Sequence, residues 1–386
     1  MSDFPVASWD EGGSRQSARW RSERDLPPPR RIVVADDTLI AEAAYRLASE
    51  GTGILWRGDF QNARQLLNAV ARRIDDRRSA KAPATATSPR SMPPADVDAF
   101  NRHRQLQSQR ARTLGMLLLP FSADHVISLR RAPDVAVACA EAYGPGDVPY
   151  VASLRELLGV IGAHEWRRRG IPVPALGSAI HPYYGVFAPV RSEYVSLVAN
   201  APFAGQAPAL AFDIGTGTGV LAAVLARRGV PRILATELDP RALACARDNI
   251  DRLGVGAEVT VIEADLYPDG RADLVVCNPP WIPARPSSPI ERAIYDDSSV
   301  MLGGFLAGLS AHLTPQGEGW LLMSNLAERL GLRSRVELLG WIDAAGLRVA
   351  GQSDARPVHP KVFDAADPLH AARRGEVTSL WRLVPR

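Results

Sequence analysis

The sequence predicts an α/β protein: a doubly wound, mostly parallel sheet of seven strands in the second half of the chain, preceded by a separate α+β domain. Three observations predict it. From about residue 176 onward, short apolar runs alternate with segments of helical period, the pattern of parallel strands joined by covering helices. One of those runs ends in a glycine-rich turn, Asp213-Ile214-Gly215-Thr216-Gly217-Thr218-Gly219, that opens a helix. The 386 residues are enough for two hydrophobic cores, and a Pro/Ala/Ser/Thr-rich stretch near residues 79–94 reads as a loop within the first.

Taken in order, residues 1–30 mix charge, Gly, Ser and Pro27-Pro28-Pro29 without hydrophobic period and read as a flexible tail. Residues 31–175 form the expected N-terminal domain. It starts with a strand RIVVA, a helix through Ser49 for which Asp36 and Asp37 are candidate caps, and a strand GILW. Residues 59–73 place apolar side chains at helical spacing. Beyond the loop come a polar helix (DVDAFNRHRQLQSQRARTLG), strands at residues 116–120 and 125–129, and a helix over residues 152–169.

Residues 176–386 hold the larger pattern. The strand AFDIG leads to a helix at 220–228, RILATEL to a helix at 241–253, and EVTVIEA and ADLVVCN follow. A helix at 301–313, the strand GWLLMSN, a helix at 327–345 and strands near 347–352 and 377–383 complete it.

Composition, 46% hydrophobic and 23% charged, is that of a globular protein, and the absence of a long apolar run or a leader-like start gives a cytoplasmic, membrane-free expectation. The three cysteines, Cys139, Cys245 and Cys277, lack metal-ligand or disulfide spacing, so no metal is expected. Residues 1–170 carry 25 positive and 20 negative side chains against 20 and 22 in the remainder, which places the basic excess in the first half. That balance, and the run Arg167-Arg168-Arg169, suits a phosphate-bearing partner; a coding bias toward arginine explains the first at least as well, and a solvated helix end is the commoner meaning of the second.

The chemistry concentrates in four places. In the glycine turn, Gly215, Gly217 and Gly219 let the backbone bend sharply and approach a ligand, and the GxGxG spacing after Asp213 leads away from a pyrophosphate site. Glu237 closes the next strand 18 residues after Gly219, where doubly wound folds hold a ribose diol; Asp239 competes for that role or caps the next helix. Asp265 closes the strand after that and could accept from an adenine amino group, or be a surface acid. Asn278-Pro279-Pro280-Trp281 follows ADLVVC: prolines cannot continue a central strand, so the chain turns out at the carboxyl end of the sheet. There the Asn278 amide oxygen and the Pro279 carbonyl are two acceptors for one amino group, and Trp281 is a flat apolar face for a planar substrate, unless it is only a packed tryptophan in a tight turn.

From about His181 onward these residues resemble a class I, Rossmann-like S-adenosylmethionine-dependent methyltransferase of the amino-methylating branch marked by Asn/Asp-Pro-Pro-aromatic, which includes small base-methylating and release-factor glutamine enzymes. The resemblance implies S-adenosyl-L-methionine as cofactor, with Asp213, Gly215, Thr216, Gly217 and Gly219 as its loop, Glu237 on the ribose and Asp265 on the adenine. It implies that Asn278, Pro279, Pro280 and Trp281 hold the target nitrogen. Gly185-Val186-Phe187-Ala188-Pro189, with Arg191 and Glu193, is similar to the segment that covers the methionine end of the cofactor, which gives Phe187 that place. The segment YDDSSVMLGGFLAGL is similar to one in release-factor enzymes. The tryptophan departs from the tyrosine or phenylalanine common there, and residues 31–175, taken as the substrate-selecting domain, match no substrate domain.

The expected reaction is N-methylation of a planar amino or amide nitrogen, foremost adenine N6 or guanine N2 in RNA or DNA. The alternatives are a protein glutamine N5 or a small-molecule nitrogen, and, from another class, an inert S-adenosylmethionine-binding protein. The expected partner is accordingly nucleic acid, RNA ahead of DNA, or a protein substrate.

Overall fold

A computed structural model describes residues 4–81, 97–190, 192–357, 367 and 369–386. The chain forms two compact units, Met1–Ser91 with Asn101–Glu165 and Met92–Phe100 with Trp166–Arg386.

The first unit is built on β1 (Val6–Glu11), β2 (Ser14–Trp20), β3 (Ile32–Ala35), α1 (Ala41–Ser49), β4 (Gly53–Trp56), α2 (Phe60–Lys81), α3 (Val97–Leu114), β5 (Leu117–Phe121), α4 (Ala136–Tyr143), β6 (Tyr150–Ser153) and α5 (Leu154–Arg169). Its six strands lie in the order β1-β2-β6-β5-β4-β3. Strands β3, β4 and β5 are parallel, and β6 pairs antiparallel with β5. Residues 4–30 do not form a tail. Gly12 and Gly13, at φ 59° and 78°, turn β1 back on β2 in a hairpin, and Ala7, Trp9 and Trp20 bury themselves against Ile32, Leu55, Leu118 and Val151. Residues 125–129 form no strand: His125 sits at φ 62° and its ring bonds Tyr150 Oη (3.1 Å) and the Gly144 carbonyl (3.0 Å). Asp36 does not cap α1, because its carboxylate accepts from the Thr38 amide and hydroxyl instead. Most of the Pro/Ala-rich stretch at 79–94 lies outside the described residues.

The second unit opens with a small antiparallel pair, β7 (Ile171–Val173) and β8 (Ser178–Ile180), and α6 (Glu193–Asn200). Then come β9 (Ala211–Ile214), α7 (Val220–Arg227), β10 (Ile233–Glu237), α8 (Pro240–Arg252), β11 (Val259–Glu263), β12 (Ala272–Cys277), α9 (Val300–His312), β13 (Leu313–Ser324), α10 (Leu326–Arg329), α11 (Arg335–Ala344), β14 (Leu347–Ala355), α12 (His370–Arg374) and β15 (Thr378–Pro385). The sheet runs β11-β10-β9-β12-β13-β15-β14, and β15 is its one reversed strand. Every residue of β9 is buried, since helices cover both faces. The helix expected over 327–345 is two, because Gly331 at φ 71° ends α10 and Ser334 with Glu337 builds a capping box for α11. The unit also takes in Phe100, 2% exposed, which packs on Ile282, Leu326, Leu330 and Leu369, so its chain is not confined to residues 176–386.

The strand order decides where a ligand can sit. After β9 the chain moves outward through β10 and β11, then returns to the other side of β9 with β12. The loops leaving β9 and β12 therefore diverge and open a crevice at their carboxyl ends. Ile214 and Cys277 are register partners, so Gly215 and Asn278 are the first residues past paired positions on the two sides of that crevice.

Candidate active site

Asp213, 1% exposed on β9, accepts from the Thr216 hydroxyl (2.6 Å) and from the Ala222 amide in α7 (3.0 Å). It thereby ties the glycine turn to the helix that follows. Burial, with the nearby Glu237 charge adding to it, raises its carboxyl to about 6 against the two hydrogen bonds. Gly215, Gly217 and Gly219 have φ of 69°, 57° and 81°, the left-handed region. Their surroundings differ. A Cβ on Gly215 would lie 2.6 Å from Met301 Cε, whereas one on Gly217 would meet no protein atom within 4 Å and would project into open space. Gly219, the N-cap of α7, faces Ala246 and Ile250 of α8 and serves helix packing.

Glu237 ends β10 and spans the crevice edge: one carboxylate oxygen accepts from Gly217 N (3.0 Å), the other from Leu238 N (2.9 Å) and Asp239 N (3.1 Å). Asp239 caps α8, accepting from Arg241 N and Ala242 N. Across the crevice, Asn278 leaves β12 and its amide oxygen accepts from Trp281 Nε1 at 3.0 Å.

A cavity of about 420 Å³ gathers Asp213, Gly215, Thr216, Gly217, Glu237, Phe187, Asn278 and Pro280 on its walls. That is within the roughly 300–1,000 Å³ of small-molecule sites. Four expected residues are not on those walls: Gly219, Asp265, Pro279 and Trp281. Asp265 is exposed because the next residue, Leu266 at φ 64°, turns inward, its carbonyl held by the Thr236 hydroxyl (2.6 Å). Trp281 is half-buried, its ring packed on the β12 and β13 core and on Ile282 and Leu326. Arg191 lies outside the described residues.

The cavity also has walls that the sequence reading did not single out. Tyr194 of α6 is 5% exposed, and its hydroxyl is pushed up by burial and then by the charge of Asp213. Met301 abuts Gly215 from α9, and Arg292 stands at the rim. Met301 was signalled only by its place in the YDDSSVMLGG segment; nothing local marked Tyr194 or Arg292. Cys277 is fully buried and its thiol is pushed up by desolvation, which leaves no thiolate nucleophile there.

The family model described as Ribosomal protein L11 methyltransferase (PrmA) matches residues 203–297. A tRNA1(Val) (adenine(37)-N6)-methyltransferase of Shewanella loihica is 33% identical over 172 residues, 39% of this chain and 70% of that protein. This chain belongs to the class I S-adenosylmethionine-dependent methyltransferases. The methyltransferase is also 42% identical over 130 residues to a release factor glutamine methyltransferase of Mycolicibacterium smegmatis, 31% of this chain and 44% of that one. A ribosomal protein L11 methyltransferase of Pelotomaculum thermopropionicum is 46% identical over 69 residues, 17% of this chain and 22% of that protein. The chain thus spans less than half the length of these last two relatives. Its cofactor is S-adenosylmethionine, and a glycine turn open at Gly217 beside the Glu237 carboxylate fits that ligand. Among the described residues no helix is long and apolar enough to cross a membrane, and no group of three or more His, Cys, Asp or Glu is placed to hold a metal.

Proposed function

We propose that this methyltransferase methylates the exocyclic amino nitrogen of a nucleic-acid base, adenine N6 or guanine N2, carried foremost by RNA. The observation that carries the reading is Asn278, which faces the same cavity as the glycine turn from directly beyond the strand paired to it. Such a nitrogen is a poor nucleophile because its lone pair is delocalised into the ring. Acceptors on its hydrogens localise the pair and aim it, which is positioning with electrostatics rather than strong base catalysis. When bound, S-adenosylmethionine supplies an electrophilic methyl group on a positively charged sulfur. The Asn278 amide oxygen, on the cavity wall, takes one of the amino hydrogens. Gly215 and Gly217 would let the backbone approach the cofactor, Glu237 would accept from the ribose hydroxyls, and Phe187 would cover the methionine end.

Two facts support a base over other planar nitrogens. The relative of which the chain covers 70% bears a tRNA adenine-N6 name, and helices α2 and α3 carry Arg64, Arg72, Arg77, Arg104 and Arg112, side chains suited to phosphates. In this reading the first unit selects the substrate. A glutamine side chain is the second reading, favoured by the 42% identity to the release factor enzyme.

The test is incubation of the whole protein with methyl-labelled S-adenosylmethionine and fractionated RNA, DNA, protein and metabolites. Label in N6-methyladenine or N2-methylguanine is expected. Label in N5-methylglutamine alone replaces the first reading with the second, and label in metabolites alone removes both. On the active substrate, Asn278→Ala should lower turnover by about a hundredfold with cofactor affinity nearly constant. Wild-type turnover in a folded Asn278→Ala protein would sink the amino-nitrogen reading.

A further inference from the structure

We infer that Trp281 is a positioning residue: its indole N–H locks the Asn278 amide in the orientation that presents oxygen, not nitrogen, to the target. The inference rests on the reading of Asn278 just given. Trp281 Nε1 donates to Asn278 Oδ1 at 3.0 Å and to the Leu322 carbonyl at 3.2 Å. The ring is off the cavity walls and packs on the β12 and β13 core, while Arg333, 4% exposed, fixes the backbone of the same residue by donating to the Trp281 carbonyl (3.1 Å) and to Ser299 Oγ (3.2 Å).

The chemistry follows from the donor inventory. A primary amide presents an acceptor at one end and two donors at the other, and a half-turn about its last bond exchanges them. The target amino group is itself a donor, so the exchanged orientation sets N–H against N–H. An indole N–H is donor-only and rejects that orientation for the same reason. It occupies one lone pair of Oδ1 and leaves the other for the target. Phenylalanine has no donor, so the tryptophan at this position carries a function separate from an apolar face.

The experiment is a double-substitution cycle on the full-length protein with Trp281→Phe and Asn278→Ala, reading single-turnover rate, substrate KM, cofactor affinity and melting temperature. Trp281→Phe is expected to slow the single turnover by about tenfold or more with KM and cofactor affinity nearly unchanged, and to add nothing in the Asn278→Ala background. An unchanged rate, or a raised KM that persists in both backgrounds, would overturn the inference in favour of a substrate-stacking or purely structural ring. If Trp281→Phe melts early, replacing Trp281 with benzothienylalanine keeps the bicyclic shape and removes only the N–H; the same loss of rate is expected, and a wild-type rate would overturn the inference. The two readings fail separately: a fast Asn278→Ala protein defeats the role of Asn278, whereas a slow one beside a fast Trp281→Phe defeats only the role of Trp281.

Discussion

Each unit of this protein has parallel strands with a hollow at their carboxyl ends. In the first, a cavity of about 440 Å³ lies past β3 and β4, lined by Ala35, Asp36, Thr38, Leu39 and Arg57 among others. In the second, the cavity past β9 and β12 measures about 420 Å³. Size and topological setting are alike, and the turn chemistry is not. Asp36 spends its carboxylate on Thr38 within its own turn, and no glycine in that turn opens the backbone. The turn after β9 has three left-handed glycines and braces itself on Asp213, buried beneath it, so that Gly217 stays open toward the cavity. A parallel strand feeding a helix is thus only the setting; the ligand site needs a backbone able to come close and a buried acid to hold it there.

The sharpest way to break this comparison is Gly217→Val. A β-branched residue in the left-handed region costs on the order of 1–3 kcal/mol, and its methyls would project into the cavity proposed for the cofactor. Affinity for S-adenosylmethionine by calorimetric titration should fall about a hundredfold or more in a folded protein. Unchanged affinity would remove the glycine turn from the site. Glu237→Ala comes next, at about 1–3 kcal/mol of cofactor affinity from the lost charged acceptor.

Asp213→Asn separates binding from folding by sign. Because burial raises the Asp213 carboxyl to about 6, well above its ordinary value near 4, this group's contribution to stability is full at low pH and declines as pH rises toward 6. The difference between variant and wild type should therefore grow from near zero at pH 4 to favour the cofactor-free variant by up to about 3 kcal/mol at pH 7. Cofactor affinity should move the other way, since the variant lacks a negative charge facing a cationic ligand. Denaturant melts across that pH range, paired with titrations, would expose an error in either direction. The smallest effect belongs to the other hollow: Asp36→Ala should leave cofactor affinity within about twofold. A larger loss there would show that the first unit's cavity shares in cofactor binding.

The same contrast explains what was legible in the sequence. Strands such as β9 and β12 are buried on both faces and read as apolar runs, so the order and type of elements in the second unit were visible. Strand β1 is the sheet edge and β2 joins β6 only through Arg19 and Trp20, so both keep exposed polar faces while Ala7, Trp9 and Trp20 are buried; the Gly12-Gly13 pair between them was the available signal for a hairpin. Within the site, Gly217, Glu237 and Asn278 were legible because their chemistry sits at strand ends. The outward turn of Asp265 was not, because it is set by a tertiary hydrogen bond between Thr236 and the Leu266 carbonyl. The withdrawal of Trp281 from the cavity likewise depends on partners far along the chain, Leu322 and Arg333.

The place of β15 bears on how the enzyme comes into being. It is last in chain order but lies between β13 and β14, so β14 leaves the ribosome before the strand that joins it to the sheet exists. The glycine turn, Glu237 and Asn278 are all made before β15, and until β15 pairs with it β13 presents an open edge, a hazard for misassembly. A stalled nascent chain ending before Thr378 should remain protease-sensitive and fail to retain labelled cofactor, while one released past Pro385 should do the opposite. Retention of cofactor by the shorter chain would show that the crevice between β9 and β12 matures without it.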